Sequence, residues 1–218
     1  MKTKLVSRRS KPKEKKGNTN RTIIIALVVI ISVCFALLAS GAGLSLSGSP
    51  TFIDKKKLYK KEGEFYTIKG DKLYTGMCKV YYSSGKVKEI WALKDGKKDG
   101  KARTFYASGV LESVQHFEKG EFHGKFIKYQ SNGFKEAETH FVRGIEHGEF
   151  TAYYKTGEVQ KRLRINEGLI SGEAFLYYRN GKVAFKGWCE NGKPTGVFQR
   201  FDKEGNSLEP INYDRLTK

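Results

Sequence analysis

The sequence predicts a mainly β protein: an extended antiparallel meander of β-hairpin repeats, about six units of 24 residues, after one N-terminal transmembrane helix. Three observations predict it. Glycines recur on a 24-residue comb, aromatic residues recur in register with them, and a long uncharged apolar stretch precedes the comb. Fixed-period self-similarity is the signature of repeat architectures, because each unit buries its apolar face against its neighbours.

Composition narrows the classes before any motif is read. The 218 residues carry 41 Lys plus Arg against 23 Asp plus Glu, a formal charge of +18. There are 24 glycines and only 4 prolines, without the Gly-X-Y triplet that collagen needs. Aromatic residues at 13% are too many for a disordered chain, and 3 cysteines are too few for a disulfide framework of this length.

Residues 1–21 form a basic tail, with nine Lys/Arg against Glu14 alone, and its charge places it in the cytosol. From Thr22 to Ile53 no residue is charged, and 22–42 reach the ~20 apolar residues that a bilayer-spanning helix requires. These residues are therefore expected to be a transmembrane signal anchor. A cleaved signal peptide competes, since Ala39-Ser40-Gly41-Ala42 offers small residues, although the apolar region exceeds the usual length. The positive-inside bias then makes the chain a single-pass membrane protein with its repeats periplasmic or extracytoplasmic. A linker, 43–57, follows. Lys55, Lys56, Lys57, Lys60 and Lys61 form a candidate membrane-surface patch for anionic lipid.

The repeat array occupies 58–206. Gly76, Gly100, Gly124, Gly148, Gly172 and Gly196 stand 24 residues apart, as do the six glycines from Gly85 to Gly205 and the five from Gly96 to Gly192. Pairs such as Ser84-Gly85, Asn132-Gly133, Asp95-Gly96 and Asn191-Gly192 supply the positive φ of tight hairpin turns. Two turns per unit leave two strands and no room for a helix. The Gly76 column marks a bulge, bend or close approach of backbone. The stretch from Lys55 to Tyr74 is off-period and looks like a degenerate capping unit, and 207–218, with Pro210, end the array.

Tyr81, Phe105, Tyr129, Tyr153, Tyr177 and Phe201 place an aromatic in every unit. A two-residue loop at the first turn would set Tyr82 opposite Val87 and Cys78 opposite Trp91, grouping Phe126, Phe141, Phe150 and Tyr154 on one face. The six-ring ladder then lies on the other face. A bulge between would reverse the assignment.

The spacing Phe-x-x-Tyr-Tyr-x-x-Gly, as in Phe150 to Gly157, followed by Gly168 and Ser171-Gly172, resembles the MORN-type repeat. It is most similar to the bacterial variant found in YwqK-family antitoxins. The resemblance implies a β-hairpin array that binds proteins; the better-known Tyr-x-Gly-x-Trp pattern is missing, so lipid-binding properties of that form do not carry over.

Catalytic signatures are missing from the sequence: no phosphate-binding Gly-x-x-x-x-Gly-Lys-Ser/Thr loop, His-Glu-x-x-His, Gly-x-Ser-x-Gly or Cys-x-x-Cys occurs. His116 and His140 share one column and His123 and His147 another, but same-column pairs are roughly two strands apart, about 10 Å, too far for one metal ion. Cys78 and Cys189 fall nine strands apart and are expected as free, buried thiols. No catalytic residue, metal or cofactor is therefore assigned, and the chain is read as a non-enzyme. From 74 to 205, 23 bases mix with 16 acids, a solvated β surface and not a phosphate track, so no specific nucleic-acid partner is expected.

The function this supports is a membrane-anchored protein–protein interaction module outside the cytosolic membrane, with the six-ring ladder as its binding surface. Cross-strand support of the sheet is the plainer role for those rings. An antitoxin or immunity-type protein, or a structural membrane-associated scaffold, are the alternatives.

Overall fold

The computed structural model describes residues 51–216. The chain enters through β1 (Phe52–Asp54), a 3-10 turn (Lys55–Lys57) and a hairpin of β2 (Leu58–Lys61) and β3 (Glu64–Thr67). The first repeats comprise β4 (Gly76–Tyr81), β5 (Val87–Lys94), β6 (Lys97–Phe105), β7 (Leu111–Glu118), β8 (Glu121–Phe122) and β9 (Gly124–Tyr129). Then come β10 (Lys135–Val142), β11 (Ile145–Glu146), β12 (Gly148–Tyr153) and β13 (Val159–Asn166). The array closes with β14 (Leu169–Tyr177), β15 (Val183–Glu190), β16 (Lys193–Phe201), β17 (Ser207–Asn212) and a short helix, α1 (Tyr213–Leu216).

From β4 to β17, short β8 and β11 apart, each strand pairs antiparallel with the next, so the expected long meander of hairpins is present. Short β8 and β11 are interrupted ends of the strands that continue as β9 and β12, and pair with β7 and β10 respectively. One departure from the meander is β1, which runs parallel to β4 along the sheet edge, while β2 and β3 form a separate two-stranded sheet.

The transmembrane helix of the expected fold class is corrected. Among the described residues no helix is long and apolar enough to cross a membrane; α1 has four residues. The reason is local: glycine turns and alternating burial commit 51–216 to strands, and no run of ~20 apolar residues occurs there. The basic tail 1–21, the span 22–42 and the linker up to residue 50 lie outside the described residues. The single-pass localisation, with repeats outside the cytosolic membrane, is withdrawn with the helix that was to carry it.

The two turns of each unit differ. At Asp95-Gly96 both residues have positive φ, 48° and 75°, and Lys94 pairs with Lys97, which defines a two-residue type I′ hairpin. The first turn is longer than the two-residue loop that the sequence suggested. Tyr82 N donates to Lys86 O at 2.8 Å and Gly85 N to Tyr82 O at 3.0 Å, a three-residue loop ending in a left-handed glycine. Tyr81, not Tyr82, therefore pairs with Val87. A bulge then restores the register, so that Val80 pairs with Glu89 and Cys78 with Trp91. Loop and bulge cancel, and the expected face assignment survives: Phe126 and Phe141 meet edge-on at 6.1 Å on the Cys78 side.

The Gly76 column is a larger irregularity. Trp91 pairs with Ala102 and Leu93 with Lys98, so one residue of β5 faces three of β6 around Gly100, whose φ is 91°. The same offset recurs around Gly172 and Gly196. Only glycine takes such a φ without strain, which is why the column is invariant along this chain.

Hydrophobic burial concentrates on the Cys78 side at both ends. The β2–β3 hairpin lays Leu58 and Phe65 on Cys78, Trp91, Leu93, Ala102 and Phe117, with the Phe65 and Trp91 rings 5.4 Å apart. Full burial of side chains of this size is worth about 1.5–3 kcal/mol each. At the other end Ala174, Cys189 and Phe198 pack with Leu163, Ile170 and Tyr213 of α1. These two caps replace the neighbours that terminal repeats lack. Cys78 and Cys189 are free buried thiols in separate clusters, and burial pushes the Cys78 thiol up to about 11.

Candidate protein-interaction surface

Strand alternation puts the six ladder rings on the side opposite Cys78, each paired across its hairpin: Tyr81 with Val87, Phe105 with Leu111, Tyr129 with Lys135, Tyr153 with Val159, Tyr177 with Val183 and Phe201 with Ser207. They are geometrically one column but differ in their surroundings. Tyr81 is 39% exposed, and the others are half-buried. Tyr177 stacks on Phe175 at 6.2 Å, and Lys186 lies 5.8 Å from the Phe201 ring.

Tyr153 belongs to a charged network. Its hydroxyl donates to Glu138 Oε1 at 2.9 Å, Lys135 and Lys125 approach Glu138 Oε2 at 2.9 and 3.1 Å, and the Lys135 ammonium also sits 5.6 Å from the Tyr153 ring. Burial by itself would raise the Glu138 carboxyl, but the hydrogen bonds from Lys135, Tyr153 and Lys125 outweigh it and hold the group at about 2 against an ordinary 4.5. A depressed folded-state value contributes stability that is fully present above the ordinary carboxylate value and is lost as pH falls through the folded one. Glu138→Gln is accordingly expected to flatten the stability–pH curve between those two values, read by urea unfolding across an acid series. A curve as steep as that of the unsubstituted protein would contradict the network.

A second column, adjacent to the ladder, was not singled out from the sequence. Tyr82, Tyr106, Tyr154 and Tyr178 each donate their phenol to a backbone carbonyl one unit on: Phe105 O at 2.7 Å, Tyr129 O at 2.7 Å, Tyr177 O at 2.6 Å and Phe201 O at 2.9 Å. These bonds staple each unit to the next. The signal was legible: the ladder mixes Tyr with Phe, whereas this column's aromatics are all Tyr, because the hydroxyl does the bonding. Second-turn amides tie units in the reverse sense, as Gly120 N donates to Lys98 O at 2.7 Å and Gly192 N to Ile170 O at 2.8 Å.

Trp188 is a further residue that sequence reasoning passed over. It pairs with Glu173 and Thr195 on the ladder side and is 50% exposed, beside Val197 at 51%. Its column, Ala92, His116, His140, Arg164 and Trp188, has no constant chemistry, so periodicity gave no reason to choose it. An exposed tryptophan on a free sheet surface has the composition of an interface anchor.

The five lysines of the expected membrane-surface patch divide. Lys55 and Lys60 lie 5.7 and 5.8 Å from the Phe65 ring, over the N-terminal cap. Lys56 and Lys57 line a depression of about 370 Å³ with Ile53, Thr67, Ile68 and Lys69, and Lys61 is exposed at the end of β2. The histidines are dispersed: His116 Nδ1 is 2.9 Å from Lys125 O, and His123 Nδ1 is 3.5 Å from Glu118 Oε2.

A family model described as the MORN repeat variant matches residues 74–95, 98–119 and 170–187. Each matched stretch falls within the strand-and-turn period described above. No curated protein matches the chain, so the likeness reaches the repeat and not the antitoxin role attached to some proteins that carry it.

Proposed function

We propose that the array is a non-enzymatic protein–protein interaction module whose binding surface is the ladder side of the sheet. One observation carries the reading. Both hydrophobic clusters among the described residues lie on the Cys78 side, whereas the ladder side of the sheet presents Tyr81, Trp188 and Val197 half-exposed. An extended sheet with one side free offers a long contact surface, and Tyr and Trp give large, stiff, amphipathic contacts at little entropic cost. The antitoxin role rests on resemblance alone and is not adopted.

Alanine substitution along the ladder tests this. Tyr81→Ala and Tyr129→Ala are expected to weaken capture of a stoichiometric partner from the native source while changing stability by no more than about 0.5 kcal/mol, as for surface positions. Tyr153→Ala is expected to weaken capture and also to destabilise, because it removes a donor from Glu138. Wild-type capture by all three variants, or a fall in melting temperature at Tyr81 and Tyr129 as large as at Tyr153, would make the ladder sheet support only.

A further inference from the structure

Charge divides the two sides of the sheet at its N-terminal end, and strand pairing fixes the division. From β4 to β9 the interior positions of the ladder side carry Lys79, Lys101, Arg103 and Lys125 and no acidic residue. Acids of the same strands turn to the Cys78 side. Glu89 pairs there with Val80, and the Lys128 ammonium, opposite Ser113, is held by Glu136 at 2.8 Å with Glu112 nearby. Glu118 and Glu121 flank a turn, and Asp54, at the sheet edge, accepts from Lys56 N at 2.9 Å. Later strands differ. The interior acids of the ladder side begin at β10, where Glu138 takes Lys125 and Lys135, and Glu149 then takes Arg162 at 3.5 Å.

The cations are set in an apolar surface. One row across the strands reads Lys79, Ile90, Arg103, Val114, Ile127, with the ring ladder beside it. Lys79 lies 3.9 Å from the Phe52 ring. Burial pulls the Lys101 ammonium and the Arg103 guanidinium below their ordinary values, and at Lys101 the Arg103 charge adds to it. A carboxylate arriving there favours both charged forms. Lys79 and Arg103 stand two strands apart, about 10 Å, as do Lys101 and Lys125. A helix supplies that interval between residues seven apart, about 10 Å.

We infer that the ladder side from β4 to β9 docks an acidic segment of the protein partner, whose carboxylates meet Lys79, Lys101 and Arg103 and whose apolar side chains cover Ile90 and Val114. The inference rests on the interaction-module reading and names the partner's chemistry. Charge complementarity selects an acidic occupant. The aliphatic positions between the cations select a protein one, since a phosphate backbone brings nothing apolar to cover them and its bases need rings to stack on.

The probe is a synthetic peptide of repeating Glu-Glu-Tyr, long enough to cross the five strands, about 20 Å. It is titrated into the full chain beside its Gln-Gln-Tyr counterpart. Saturable binding of the acidic peptide alone is expected, weakening as salt is raised. Lys101→Gln with Arg103→Gln should weaken it about tenfold or more, the scale of two lost charge-assisted contacts. Arg164→Gln with Lys186→Gln removes as much charge from the later strands and should leave it unchanged. Equal weakening by the two pairs would overturn the inference as general attraction to a basic protein. Carbodiimide coupling of the peptide to the unsubstituted chain makes the test independent of how the variants fold. Amide links are expected at Lys79, Lys101 and Lys125; links spread as heavily over Lys128 and Lys161 would overturn it. Tighter binding of single-stranded DNA or of phosphatidylserine vesicles than of the peptide, lost with the same two substitutions, would overturn the protein occupant. Partner capture separates this from the broader reading. Capture weakened in Tyr81→Ala but intact in the Lys101, Arg103 pair would remove the acidic segment and leave the interaction surface, whereas capture unchanged in every variant would sink the surface itself.

Discussion

Replacing Trp91 by alanine is expected to cost about 3–5 kcal/mol, the range for removing a buried large aromatic. Trp91 is 7% exposed and sits at the centre of the N-terminal cluster, against Phe65 of the capping hairpin. Its Nε1 donates to Glu89 Oε2 at 2.7 Å, and the Lys98 ammonium lies 4.2 Å from the ring. Burial, the largest influence on Lys98, pulls its ammonium below the ordinary lysine value. The indole therefore does three things: it fills volume, holds a polar tip, and gives a half-buried cation an aromatic face. Trp91→Phe should recover most of the packing but not the bond to Glu89. Urea unfolding measures the loss, and emission identifies its place. The chain has 2 tryptophans, so the variant's fluorescence comes from half-exposed Trp188 alone and should be red-shifted. A loss below about 1 kcal/mol, the mean for point substitutions, would show that the cap does not depend on this ring.

Gly96→Ala is expected to undock the same cap from the other side. Gly96 has φ 75°, and its carbonyl accepts from Phe65 N at 2.7 Å while its amide donates to Tyr74 O at 2.9 Å. A Cβ there would fall 2.6 Å from Leu73 Cδ2 and 3.0 Å from Phe65 O. The leucine tip can swing away; the backbone carbonyl cannot. The left-handed backbone costs about 1–3 kcal/mol for a residue other than glycine, and displacement of the hairpin adds to that. Gly192→Ala supplies the control, since Gly192 occupies the equivalent turn with φ 82° and nothing near its absent Cβ. It should pay only the backbone cost. Equal losses at the two positions, by urea unfolding, would mean that the cap does not rest on Gly96.

Much of the fold was legible because its determinants are local. Asp95-Gly96 and Asn191-Gly192 announce type I′ turns through the φ they must adopt, and the Gly100 column announces a bulge for the same reason. Less legible was anything that depended on counting across a turn. The three-residue loop at Ser83 to Gly85 and the bulge beyond it each shift the register by one, and only their sum matches the simple count. The site was legible in part. The ladder appears as a column in the sequence, yet its members differ in surroundings: Tyr153 is tied to Glu138, whereas Tyr81 is exposed.

The sequence by itself determined the period, the strand-and-turn alternation, the faces and the free buried cysteines, because hairpin repeats are specified by residues within a dozen positions of one another. Tertiary structure alone decided where the cap docks, that β1 joins the sheet in parallel, and that Trp188 lies open. Those depend on contacts between units, set by packing and hydrogen bonds over distances that no local pattern encodes. The position of residues 58–67 on the Cys78 side is the clearest instance, since Phe65 finds Trp91, 26 positions further along the chain, through shape and burial alone.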